Sequence, residues 1–135
     1  MDFYDKVKEF HEVFNHPVTG KPTLFPSGDV ESDTRLANLR VNLIKEELGE
    51  LCDALEAEDV VEVADALGDI LVVTLGAALV WGIPIKDVFD EIHRANMSKL
   101  DPETGKPIFR EDGKIMKGSA YAPPDVKSII EAARG

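Results

Sequence analysis

Between Asp2 and Phe14 the positions Phe3, Val7, Phe10 and Phe14 follow the three-to-four-residue spacing of one helical face, and the pattern stops at Asn15-His16-Pro17. An amphipathic helix from Asp2 to Phe14 is predicted. The stretch from there to Asp33 holds three prolines and two glycines without periodicity, which predicts a long irregular loop of the kind that often carries function. A second helix is expected from an N-cap at Ser32 or Asp33 to about Glu56, with Leu36, Leu39, Leu43, Leu48, Leu51 and Leu55 on its buried side. Ala57-Glu58-Asp59 reads as a reversing turn. The third helix, Val60 to about Trp81, is apolar nearly all round and must be covered on every side, which an oligomer achieves better than one small bundle. Gly82 ends it, Pro84 suits a first turn, and a fourth helix is expected from Ile85 to Leu100.

The remainder is turn-rich. Ile108-Phe109 and Ile115-Met116 flank Glu-Asp-Gly and are compatible with a small hairpin, and Asp125 is placed to cap a last short helix through Ala133. The fold class is therefore all-α, a four-helix bundle with a short C-terminal hairpin segment, read as a single domain over 1–135 and as an obligate homo-oligomer, a dimer or a dimer of dimers.

Composition narrows the function. A chain of 135 residues that is 44% hydrophobic and 30% charged suits one core. Its net charge of −11 opposes binding of a nucleic-acid strand, so a phosphate-bearing partner would need metal cations as intermediaries. Cys52 is the only cysteine and, among Leu51, Ala54 and Leu55, is expected to be buried and inert. The N-terminus lacks a secretory apolar segment, and the run from Ile70 to Ile83 is shorter than the roughly 20 residues that span a bilayer, so no membrane partner and a cytoplasmic location are expected.

The chemistry lies in the acids. On the second helix Glu46, Glu50 and Asp53 share a narrow wedge, with Glu47 one i,i+3 step from Glu50; on the third, Glu62, Asp65 and Asp69 form one stripe. A short turn makes the two helices antiparallel, so Glu47 and Glu50 can face Glu62 and Asp65. Clustered carboxylates repel and resist desolvation, and a hard divalent cation removes both penalties; oxygen donors without His or Cys suit Mg²⁺, with Mn²⁺ able to substitute. Ordinary readings stand beside this one. Glu46 and Glu47 suit a solvated face, Glu62 suits a capping box with Asp59, and Asp69 suits an ion pair with a lysine or arginine.

Glu46-Glu47-x-x-Glu50 followed by Glu62-x-x-Asp65 resembles the EExxE…ExxD signature of the all-α NTP pyrophosphatases, the group of MazG, the dimeric dUTPases and the phosphoribosyl-ATP pyrophosphatases. FHEVFNHP, ANMSK at 95–99 and GKIMKGSAYAPPD at 113–125 extend the likeness to MazG-like members. The resemblance implies that Glu47, Glu50, Glu62 and Asp65 hold the metal and that Glu46 stands beside the attacking water. A nucleoside triphosphate would be cut at the α-phosphorus.

Lys99, Lys114 and Lys117 are candidates for the outer phosphates, with Asn96 one i,i+3 step from Lys99 and Tyr121 closing over them or sitting in the core. His11, Phe14 and Asn15 are candidates for the base, although a histidine on an apolar face is often structural. Asn15 offers a donor and an acceptor to a uracil edge, which points to dUTP as substrate in nucleotide-pool house-cleaning. Alternatives are a broad NTP, dCTP or phosphoribosyl-ATP pyrophosphatase, and a non-catalytic metal-binding helical dimer.

Overall fold

The computed structural model describes residues 1–135, which fold all-α into two compact units, Met1–Ile83 and Pro84–Gly135. The first holds α1 (Phe3–Val13), α2 (Val30–Glu56) and α3 (Val60–Val80); the second holds α4 (Ile85–Met97), β1 (Ile108–Phe109), β2 (Ile115–Met116) and α5 (Val126–Arg134).

In the first unit α1 opens on a reciprocal capping box between Asp2 and Asp5, satisfying two helix-end donors that would otherwise lack partners. It ends with Asn15 in the left-handed region, φ +57°, a conformation asparagine tolerates better than most residues. The connecting loop then runs along the C-terminal end of α3. Thr19 donates from its backbone N–H to Leu79 O (2.9 Å) and from Oγ1 to Val80 O (2.6 Å), and Thr23 N–H donates to Trp81 O (3.0 Å). Carbonyls left over at a helix end thus find donors in the loop.

α2 begins earlier than its expected cap. Asp29 is the N-cap, accepting from Ser32 N–H and Oγ, while Asp33, 2% exposed, accepts from Ser27 N–H, Ser27 Oγ and Gly28 N–H. The expected cap instead ties the loop to the helix. Asp59 caps α3 as expected, accepting from the N–H groups of Val61 and Glu62.

The core gathers around the last turns of α3, where Gly76, Ala77, Ala78, Leu79 and Val80 are buried, with Val7 and His11 of α1 and Arg40 of α2. The apolar face expected of α1 is therefore corrected: Val7 and His11 point inward, while Phe3, Phe10 and Phe14 are exposed. On α2, Leu39, Leu48 and Leu55 are exposed, as are Leu67 and Leu71 on α3. A hairpin of two helices has too little surface to cover both flanks of each. Cys52, expected to be buried, is exposed for the same reason. Most of the apolar run, Ile70 to Val80, belongs to a helix of 21 residues (Val60–Val80) that is, by length and composition alone, long and apolar enough to cross a membrane.

In the second unit α4 stops at Met97, short of the expected Leu100, and Ser98 is its C-cap. Pro84 precedes the helix as N-cap rather than occupying its first turn. The hairpin forms, with Ile108 opposite Met116 and Phe109 opposite Ile115. Its turn is held by an Arg110–Asp112 ion pair and by Lys114 N–H donating to Asp112 Oδ1. Asp125 caps α5 through Ser128.

Candidate functional site

Two antiparallel helices bring acids together turn by turn. Glu50, Asp53 and Ala54 of α2 line one groove of about 490 Å³ with Asp59, Glu62, Asp65 and Ala66 on the other side of the turn. One turn farther from the reversal, Glu47 meets Asp69. Glu47, Glu50 and Asp69 each aim a carboxylate oxygen into one volume, all within 4.8 Å of one another. Glu50 belongs to both groups and joins them.

The electrostatics of this wedge are those of acids crowded without a counter-charge. Loss of hydration at half-buried Glu47 raises its carboxyl to about 6, aided by a hydrogen bond with Glu50 and by the charges of Glu50, Asp69 and Asp65. Asp69 is also raised, first by burial and then by Asp65 and Glu50. No lysine or arginine contributes to either shift, so the ion pair considered for Asp69 is not formed. Glu47 Oε2 is buried with no hydrogen-bond partner. A hard divalent cation fits this donor set: carboxylate oxygens only, closely spaced, with one oxygen left unsatisfied.

Residues 7–96 match the phosphoribosyl-ATP pyrophosphohydrolase family over both acidic helices. The chain belongs to that family. It is 32% identical over 129 residues to an uncharacterised protein of Acanthamoeba polyphaga mimivirus; the match takes in 95% of the chain but only 47% of the viral protein, so the chain spans about half the length of that relative. A crystal structure of a protein from Exiguobacterium sp. 255-15, proposed to be an NTP pyrophosphohydrolase, is 28% identical, with a TM-score of 0.50 over 98% of this chain and 94% of that one. The all-α MazG-like fold read from the motifs agrees with both family and neighbour.

Within this family fold the other expected site residues fall as follows. Glu46 is exposed on α2, beside the wedge rather than in it. His11 is 2% exposed, and its Nδ1 lies 2.9 Å from Pro17 O. Burial, and then the charges of Arg40 and His16, lower its pKa against the opposing hydrogen bond to Pro17 O. The base contact expected of His11 is corrected accordingly, since its ring is enclosed in the core. Phe14 and Asn15 remain exposed. Asn96 and Lys99 stand on a pocket of about 370 Å³ whose other walls are Met97, Leu100, Pro107 and Ile115. Lys114 is exposed on the hairpin, and Lys117 Nζ lies 4.7 Å over the ring of Tyr121.

Asp69 lies outside the EExxE…ExxD signature, yet its carboxylate joins those of Glu47 and Glu50. Its i,i+4 step from Asp65 was the available signal. Arg94, which donates Nε and Nη2 to the two carboxylate oxygens of Glu91 at 2.7 and 2.9 Å, carried no signal in the sequence.

Proposed function

We propose that the chain is a divalent-cation-dependent nucleoside triphosphate pyrophosphohydrolase that takes dUTP by preference, releasing dUMP and pyrophosphate. The observation carrying this reading is the carboxylate wedge with its unpartnered Glu47 oxygen. Glu47 and Glu50 would hold the cation together with Glu62, Asp65 or Asp69 across the hairpin. Mg²⁺ is the first choice, with Mn²⁺ able to replace it. When bound, such a cation offsets the charge of the triphosphate and lowers the pKa of the attacking water.

Glu46, exposed beside the wedge, accepts the proton of that water as its oxygen attacks the α-phosphorus, and the bond to the bridging α–β oxygen breaks so that pyrophosphate leaves. Lys99, Lys114 and Lys117 supply positive charge for the outer phosphates, with Asn96 and Tyr121 as polar partners. Asn15 reads the pyrimidine edge, leaving unpaired polar groups when another base enters. The exposed leucines of α2 and α3 are covered by a second copy, as a dimer or dimer of dimers, in the cytoplasm. A net charge of −11 disfavours nucleic acid as a partner.

The test is pyrophosphate release from dUTP, dTTP, dCTP, UTP and ATP with and without Mg²⁺, for wild type, Glu50→Gln and Asp65→Asn. Higher kcat/KM on dUTP, and loss of turnover in both folded variants, are expected. Equal rates on purines and pyrimidines would reassign the chain to a broad activity, and near-normal turnover of either variant would displace the site.

A further inference from the structure

Residues 117–125 carry two of the groups assigned to the outer phosphates, Lys117 and Tyr121, yet beyond β2 this stretch has no regular secondary structure until α5. A chain free to sample many conformations holds such groups poorly, because ordering it on binding costs entropy for every residue fixed. Here it is fixed beforehand by one face of α4. Glu91, Arg94 and Ser98, spaced i, i+3 and i+7, point to the same side of the helix.

Each of the three grips the segment's backbone. Arg94 straddles Glu91 with Nε and Nη2, and Nη2 also donates to Ala122 O (3.2 Å) and Pro123 O (3.1 Å). Ser98 Oγ donates to Ala95 O (2.6 Å) and accepts from Ala122 N–H (3.1 Å). Glu91 Oε2 accepts from Asp125 N–H (2.6 Å). Upstream, Gly118 N–H donates to Lys99 O (2.9 Å), and a Cβ there would meet Leu100 O at 2.6 Å, so only glycine lets the chain after β2 approach the backbone just past α4 so closely. Tyr121 lies between the Gly118 anchor and the Ala122 anchor, bonded through its own N–H to Gly118 O (3.1 Å). Its ring then seats the Lys117 ammonium.

We infer that Glu91, Arg94 and Ser98 act as positioning residues, a rail on α4 that preorganises Tyr121 and Lys117 for the pyrophosphate end of the substrate. The inference rests on the proposed reading that this segment meets the outer phosphates. Arginine is needed at the centre because its planar fork engages a carboxylate and two carbonyls together, which a lysine ammonium on a flexible stem does not reproduce.

The experiment measures calorimetric binding of inorganic pyrophosphate to the full chain in wild type, Arg94→Lys, Ser98→Ala, Lys117→Met and the double variant Arg94→Lys/Lys117→Met, with helicity and melting temperature recorded for each. Lys117→Met and Arg94→Lys are each expected to weaken binding by about tenfold without loss of helicity, Ser98→Ala acting in the same direction. The double variant should lose less than the sum of the two single losses, because the rail acts in part through that lysine. Unchanged affinity in Lys117→Met would overturn the phosphate reading of the segment. A loss in Lys117→Met, with wild-type affinity in Arg94→Lys and Ser98→Ala or additive losses in the double variant, would overturn the positioning role alone. Should Arg94→Lys fail to fold, Ser98→Ala decides the point.

Discussion

Gly76 sits in the middle of the core, on the turn of α3 that meets both α1 and α2, and replacing it by alanine sets two known effects against each other. A Cβ there would lie 2.8 Å from Arg40 Nη1 and 2.9 Å from His11 Nε2, closer than real side chains approach. His11 is pinned by Pro17 O, and Arg40 is 5% exposed, so neither has open space to move into. Overpacking of this kind costs about 1–3 kcal/mol, while glycine to alanine inside a helix returns roughly 1 kcal/mol. The net expectation for Gly76→Ala is a loss of up to about 2 kcal/mol. Gly68, on the same helix, has nothing within 4 Å of an added Cβ, so Gly68→Ala keeps the propensity gain alone, up to about 1 kcal/mol of stabilisation. Urea unfolding followed by circular dichroism, at one protein concentration so that any association is held constant, reads both. A Gly76→Ala midpoint above wild type, as expected for Gly68→Ala, would refute the packing of Arg40 and His11 against α3.

Glu91 is held at about 2 by the Arg94 fork and then by Asp125 N–H, well below its ordinary 4.5. A lowered carboxyl stabilises the fold above its unfolded pKa, so this contribution is present above pH 4.5 and is lost as pH falls through about 2. A carboxyl-detected NMR titration should place Glu91 near 2 in wild type and return it toward the ordinary range in Arg94→Met; a wild-type value near 4.5 would mean the fork is not formed in solution. For assembly, light scattering at micromolar concentration is expected to give a multiple of 14.8 kDa, and a monomeric mass would leave the exposed leucines of α2 and α3 without their proposed cover.

The helices were legible wherever local chemistry alone decided them. Asp59 and Asp125 cap where the sequence places them, and the hairpin pairs the two short apolar stretches that flank Glu-Asp-Gly. What escaped depends on contacts distant in sequence. Asp29 and Asp33 are equally good caps by residue type; Asp33 is drawn off because the loop returns Ser27 and Gly28 to its carboxylate. On α1 the periodicity located a face, but the buried pair is Val7 and His11, because Pro17 O offers the imidazole a partner that makes its burial tolerable. Arg94 looked like any surface arginine, since its carbonyl partners lie 28 and 29 residues away.

The acidic wedge shows the same limit most sharply. A motif gives the order of its acids along the chain, and the two halves of EExxE…ExxD read naturally as facing each other as wholes. In an antiparallel hairpin each turn gained on α2 away from the reversal is matched by a turn gained on α3, so partners are fixed by distance from Asp59. Asp53 and Glu50 therefore share their groove with Glu62 and Asp65, and Glu47, a turn farther out, meets Asp69, a turn beyond the motif's last acid. The carboxylates consequently form a ladder along the hairpin rather than one square of four. Its outer rung is where burial is greatest and the carboxyls are most raised, and Glu47 Oε2 is left there without a partner. On the proposed reading, a cation drawn to the most strained acids would bind first at that rung. Asp69 is then a ligand candidate on the same footing as Glu62 and Asp65.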